Sequence, residues 1–197
     1  QANRNQIVKQ MVSLLKDESP KWIVRLDVRS FFESIDRTRL IVRFQEDGRL
    51  NYQSISLLAN LFSHPVISSE GGLPRGLSIS SVMSELYLKY IDLEFRRMDG
   101  VFYYARFVDD IIIFCSDKAS QEKVWNNAPY MFSQLGLQLN ETKSYKWTNS
   151  QQNNKLTYLG YTFLPKGKTD IEVVIAEKKI NVIKTRITKS FVRFAKD

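Results

Sequence analysis

The stretch YYARFVDDIIIF, Tyr103 to Phe114, sets two adjacent aspartates inside an otherwise apolar run. Without Asp109 and Asp110 it would read as a buried strand. A lone buried carboxylate is costly unless it is neutralised, paired or bound to a cation, and two side by side also repel each other. The apolar runs 101–108 and 110–115 lie too close in sequence for anything but a tight hairpin. A turn at Val108–Asp109–Asp110 would present the carboxylates at a tip anchored by apolar strands. The neighbour that suits such a tip is a hard cation, because magnesium prefers carboxylate oxygens.

A third carboxylate stands in similar surroundings. Asp27 ends the apolar run WIVRLD and precedes VRSFFESID. If that strand lies beside the hairpin, Asp27 and Asp109 converge. Two metal ions held about 3.5–4 Å apart by such carboxylates stabilise the attacking and leaving oxygens of an in-line phosphoryl displacement. The competing reading makes Asp27 a strand-end residue and Asp109–Asp110 a simple turn.

The rest of the chain alternates helical and strand patterns. Residues 5–17, 36–46 and 51–63 have helical spacing, with Gly48 at the break between the last two. Lys21 to Val28 reads as a strand after Pro20, and Ser69 to Ser78 as a loop rich in Gly and Pro. Ser78 is placed to cap a helix over 79–97, and a helix over 119–136 ends at Gly136. Short strands are expected at 144–147, 155–160 and 171–175, and a basic amphipathic helix at 177–195. This order predicts the α+β class, a sheet covered by helices.

Composition narrows the partners. Of 197 residues 43% are hydrophobic, enough for one sizeable core, and no run is apolar for long enough to cross a bilayer. The start lacks a signal-peptide pattern, and a chain beginning at Gln1 fits a fragment or processed product. One cysteine, Cys115, excludes an intrachain disulfide and fits a reducing cytoplasm. The net charge of +8 has two readings, a solvated basic surface or a polyanionic partner such as nucleic acid. His64, the single histidine, has neither a second histidine nor a second cysteine to build a transition-metal site.

The motifs together resemble the palm of reverse transcriptases. LDVRSFFESID resembles their first palm motif, and GLPRGLSIS the loop that opens the helix beneath primer and template. FVDD resembles their aromatic–x–Asp–Asp turn, LGLQLNETKS the motif that ends in a lysine, and LTYLGYTF the primer-grip hairpin. In family order they span Trp22 to Phe163. The wording of PRGLSISSVMSELYL and YYARFVDDIIIF is most similar to bacterial abortive-infection and other defence-associated members. Group II intron and retron enzymes are less similar in that loop. Family members usually carry glutamine where this chain has Arg75.

The resemblance implies a polymerase palm with partial fingers and the start of a thumb. Its boundaries would be 1–21 for the end of the fingers or a connecting helix, 22–164 for the palm, and 165–197 for the thumb start or a connector. It implies an RNA-directed DNA polymerase that adds dNTPs to a DNA or RNA primer on an RNA template. Two magnesium ions, or manganese in their place, would sit on Asp27, Asp109, Asp110 and the Val28 carbonyl. Lys143 would protonate the leaving pyrophosphate, the alternative being a solvated lysine. Phe32 would form the sugar gate, excluding a 2′-hydroxyl, while Phe31 packs inward. Arg75, Gly76 and Lys143 would adjoin the nucleotide, and Leu159, Gly160 and Tyr161 would form the primer-grip turn. Arg25 and Arg106, in apolar strands, would pair with acids or face nucleic acid. Lys178, Lys179, Lys184, Arg186, Lys189 and Arg193 would track a phosphate backbone or form a solvated face. The other readings are an intron- or retron-type enzyme, an untemplated DNA polymerase, an RNA-templated RNA polymerase, and a non-catalytic nucleic-acid-binding module.

Overall fold

The chain runs α1 (Arg4–Leu15), β1 (Trp22–Asp27), α2 (Phe31–Ser34), α3 (Arg37–Asp47), α4 (Tyr52–Ser63), α5 (Pro65–Ser68), α6 (Ser78–Arg97), β2 (Val101–Phe107) and β3 (Asp110–Cys115). It continues through α7 (Lys118–Ser133), β4 (Tyr145–Thr148), β5 (Leu156–Tyr158), β6 (Tyr161–Lys166), β7 (Asp170–Ile175) and α8 (Glu177–Phe194). This computed structural model describes residues 3–17, 19–48, 50–68, 71–149, 155–166 and 170–194. The fold is α+β, in two units: Ile23–Lys146, and the flanking segments Gln1–Trp22 with Trp147–Asp197.

In the Ile23–Lys146 unit a sheet in the order β2-β3-β1-β4 forms the floor of the site. Ile111 to Cys115 are all buried, which explains the unbroken apolar run: β3 lies between β2 and β1 with both faces covered. Helix α6 lies against β2 and α7 against β3. The α6 side chains Met83, Tyr87, Leu88, Ile91 and Phe95 are buried at helical spacing. Phe95 stacks on Tyr104 with ring centroids 6.0 Å apart and tilts against Phe132 at 6.4 Å. Two buried polar side chains of this unit find backbone partners. Gln121 Nε2 donates to the Ile23 carbonyl at 2.7 Å, and the Tyr87 hydroxyl to the Leu135 carbonyl at 2.6 Å.

Local chemistry sets most helix ends. Asp36 caps α3 by accepting from the backbone N–H of Thr38 and Arg39, and Gly48 closes it at a φ of 60°. Ser78 does not cap α6, as the sequence suggested, but is its first residue. Leu77 occupies the cap position without a side-chain bond, and Ser80 Oγ instead donates back to the Pro74 carbonyl at 2.7 Å. Helix α7 ends at Ser133 rather than at Gly136, whose φ of 71° falls in the turn beyond. Two single-turn helices, α2 and α5, stand where no helix was expected.

In the other unit α1 lies against the antiparallel sheet β5-β6-β7, with Ile7, Met11 and Leu15 buried four residues apart. The expected strand 155–160 is two pieces of chain: β5 and a turn that leads into β6. Helix α8 buries none of its described residues; its apolar side chains are exposed, and Lys179 is half-buried. The last residue of the predicted helix 177–195 lies outside the described residues.

Candidate active site

The hairpin places Asp109 by register. Phe107 pairs with Asp110, which leaves Val108 and Asp109 as a two-residue turn. Of the two, only Val108 takes a positive φ, 61°. For a β-branched residue that is a strained conformation, of the kind retained where the surroundings over-determine it. Arg106 supplies the restraint. Its guanidinium is bound by Asp92 through Nε and Nη2, each at 2.7 Å, and by Glu85 at 2.9 Å, and it donates to the Val108 carbonyl at 3.0 Å. Tyr104 adds a 2.6 Å hydrogen bond to Asp92.

Strand β1 lies beside β3, as the convergence of Asp27 and Asp109 requires. The Val28 N–H donates to the Asp109 carbonyl at 3.4 Å. Asp27 is buried, and residues 138–144 hold it in place. The Asn140 N–H donates to the Asp27 carbonyl at 2.7 Å, the Arg29 N–H to the Gln138 carbonyl at 2.8 Å, and the Asp27 N–H to Ser144 Oγ at 3.1 Å. Asn140 shapes that segment by accepting from Thr142 N–H and Oγ1. The segment delivers Lys143, whose Nζ lies 3.0 and 3.3 Å from the two Asp27 oxygens.

The carboxylates feel one another. Burial raises the pKa of Asp109 above the ordinary aspartate value, and the Asp27 charge adds to it against the opposing charges of Lys143 and Arg75. Burial raises Asp110 as well, with Asp27 and Asp109 contributing and Arg25 opposing. Arg25 donates to both Asp110 oxygens, at 3.1 and 3.2 Å, and its guanidinium lies 5.7 Å from the Tyr145 ring centre.

Among the described residues no group of three or more His, Cys, Asp or Glu side chains is arranged to hold a metal ion. Asp27 and Asp109 nonetheless fit one. They are oxygen donors, Asp109 is disfavoured as an anion by its burial, and an ammonium already lies on Asp27. Asp110, as placed, is occupied by Arg25.

The residues expected beside the nucleotide gather around α2. Phe31 is buried, 2% exposed, and Phe32 is half-buried, with their ring centroids 5.6 Å apart. The Leu73 N–H donates to the Phe32 carbonyl at 2.7 Å. Gly72, at a φ of 67°, packs so closely that an added Cβ would collide with the Phe32 carbonyl and the Glu33 backbone. Gly76, at a φ of 88°, faces open space. Arg37 ties the loop down by donating to the Gly72 and Ile67 carbonyls. Arg75 Nε donates to Glu33 at 2.6 Å.

Leu159, Gly160 and Tyr161 stand at the β5–β6 turn of the other unit. Leu159 and Gly160 both take positive φ, 50° and 74°. Arg4 donates to the Leu159 carbonyl, and Arg4 and Lys179 both lie over the Tyr161 ring.

Glu33, Asn140, Ser144 and Arg4 were not singled out in the sequence. Asn140 and Ser144 had a readable signal, since NETKS is a run of turn-forming side chains. Glu33 had only its position after the Phe–Phe pair.

Residues 3–163 match the family model for reverse transcriptase (RNA-dependent DNA polymerase). Among curated proteins none matches the sequence. Similar solved structures include an apo telomerase from Candida tropicalis truncated from its C-terminal domain. It has 14% identity and a TM-score of 0.63, over 89% of this chain and 40% of that one. A telomerase from Candida albicans, in complex with a TWJ fragment of telomeric RNA, has 13% identity and a TM-score of 0.64, over 89% of this chain and 34% of that one. The chain thus spans two fifths or less of the length of either telomerase.

Proposed function

The chain belongs to the reverse transcriptase family, and from that premise we propose that it carries the nucleotidyl-transfer centre of an RNA-directed DNA polymerase. The observation that carries the reading is the placement of Asp27 beside the Asp109 turn, joined by the Val28 N–H to the Asp109 carbonyl, with the Lys143 ammonium on Asp27. Asp27 and Asp109 would hold divalent cations, magnesium or manganese, with Asp110 and the Val28 carbonyl beside them. The chemistry those ions supply when bound is charge stabilisation at the attacking and leaving oxygens of the displacement. Lys143 would donate a proton to a leaving pyrophosphate oxygen, Phe32 would bound the sugar, and Arg75 and Gly76, on the loop before α6, would adjoin the nucleotide. The partners are an RNA template, a DNA or RNA primer and dNTPs. The Leu159–Tyr161 turn, with Arg4 and Lys179 against it, is the primer grip. Residues 22–164 form the palm, 1–21 the end of the fingers and 165–197 the thumb start.

Primer extension by the intact enzyme tests this, with dNTPs or NTPs, on RNA, on DNA and without template. Magnesium-dependent dNTP incorporation on RNA, lost in Asp27→Asn and Asp109→Asn, is the expected result. Synthesis without template would favour the untemplated alternative, and NTP-only synthesis an RNA polymerase. Nucleic-acid binding with no synthesis under any condition would leave a binding module.

The biological setting follows from local wording. PRGLSISSVMSELYL and YYARFVDDIIIF are most similar to bacterial defence-associated members, so the enzyme acts in the bacterial cytoplasm against phage. Plating efficiency across a phage panel, with the gene and its Asp109→Asn variant, checks this. Equal plaque counts throughout would overturn the defence role and leave the polymerase chemistry standing.

A further inference from the structure

The structure gives Arg75 a specific partner. Its Nε lies 2.6 Å from Glu33 Oε1, and Glu33 directly follows Phe32. The loop that carries Arg75 meets α2 in two further ways: the Leu73 N–H donates to the Phe32 carbonyl, and Gly72 packs on the Phe32–Glu33 backbone. Arg37 and Ser80 fix the loop from behind, on the Gly72 and Pro74 carbonyls. Beyond Arg75 the chain opens at Gly76, where nothing lies within 4 Å of an added Cβ. The Arg75–Glu33 pair is therefore the last tie between loop and α2 before the chain opens, and it joins side chains that are 73% and 48% exposed. So exposed a pair adds little to global stability. Its effect falls on the position of the residue it flanks.

We propose that Glu33 and Arg75 form a latch that positions Phe32, making both residues specificity determinants for the sugar of the incoming nucleotide. The inference rests on the polymerase reading. With the latch closed, the Phe32 backbone is fixed by the Leu73 N–H and the close approach of Gly72, and its ring lies against the buried Phe31, so the side chain is held against withdrawal from an added 2′-hydroxyl. With it open, the ring gains freedom, and discrimination falls without loss of the catalytic carboxylates.

The test uses Arg75→Gln, Glu33→Gln and the double variant in the intact enzyme. Three quantities are measured: kcat/KM for a dNTP and the matching NTP, hydrogen exchange at the Leu73 amide, and thermal melting. Each single variant should lower the dNTP/NTP preference by about two- to fivefold, the size of one exposed ion pair, speed exchange at Leu73, and leave the melting temperature nearly unchanged. The double variant should be no worse than either single one. Preference and exchange unchanged in both single variants would overturn the latch, as would single effects that add. Altered preference with unaltered exchange would mean that Arg75 acts on the nucleotide directly, and faster exchange with unaltered preference would end the specificity role. Absence of synthesis by the unsubstituted enzyme would strike the polymerase reading instead, and the exchange rates alone would then decide the latch.

Discussion

Arg25 donates from Nε and Nη2 to the two carboxylate oxygens of Asp110, at 3.1 and 3.2 Å, so the two adjacent aspartates have different partners. Asp109 remains at the turn beside Asp27, while Asp110 is held across the sheet from β1. Adjacent carboxylates are tolerated in an apolar hairpin because one of them is charge-paired and the other is left for the site.

Arg25→Met should therefore destabilise the chain by about 3 kcal/mol, since it strands a mostly buried carboxylate. The side chains involved are only 14% and 18% exposed, so solvent screening does little to soften the loss. Denaturant unfolding checks this. Arg25→Met/Asp110→Asn should recover a substantial part of the loss, and a double variant as unstable as Arg25→Met would rule out the pairing as the cause.

Asp109 should show the cost of holding a site ready. Burial first, and the Asp27 charge after it, raise its carboxyl above the ordinary value of 3.8. The folded chain then binds that proton more tightly than the unfolded chain does. The resulting stabilisation is complete below the ordinary value and is lost as pH rises through the raised one. Asp109→Asn should melt higher than the parent at neutral pH, with the gap closing as pH falls toward 3.8. Synthesis should fall by about 100-fold or more. A gap that is constant across that range would show that the carboxyl is not perturbed.

The parts legible in the sequence were those carried by periodicity or by incongruity. Ile111–Cys115 reads as a strand because both faces are buried, and Asp27 and Asp109 are conspicuous because their neighbours are apolar. Arg25 and Arg106 announce by the same contrast that each needs an acid, but not which one, since register decides that. Glu33 gave no such sign: an exposed acid in a chain that is 25% charged looks like any other. Helices α2 and α5 were invisible for another reason. A single turn is not stable by propensity, and α2 follows Ser30 at a φ of 45° and is tied by the Leu73 N–H to the Phe32 carbonyl, a contact from a distant loop. Helix α8 was legible as an amphipathic pattern, but that pattern did not foretell that its apolar side chains would all be exposed.

Lys143 is positioned by the Asn140–Ser144 turn, with its Nζ 3.0 Å from Asp27. If it donates the proton to the leaving group, Lys143→Met should lower the single-turnover rate by about 100-fold, with a much smaller change in nucleotide affinity. Lys143→Arg should fall between the two. Its side chain is 48% exposed, so melting should hardly move. A Lys143→Met enzyme within about twofold of the parent rate would remove it from the chemistry.

The two phenylalanines of α2 separate packing from selection. Phe31 is 2% exposed and Phe32 is half-buried, although they are neighbours, because successive side chains of the α2 turn point in different directions. Phe31→Ala should cost roughly 3–5 kcal/mol of stability, the loss typical of a buried ring replaced by a cavity. Phe32→Ala should cost less and act on selectivity: a rigid ring beneath the sugar leaves no room for a hydroxyl, and an alanine does. Competitive incorporation of a dNTP and its matching NTP reads the second effect, and thermal melting the first. An unchanged dNTP/NTP ratio in Phe32→Ala would place the gate elsewhere. The proposed latch acts only through Phe32, so the effects of Glu33 and Arg75 variants on selectivity should vanish in the Phe32→Ala background, whereas an independent contact to the nucleotide would persist there.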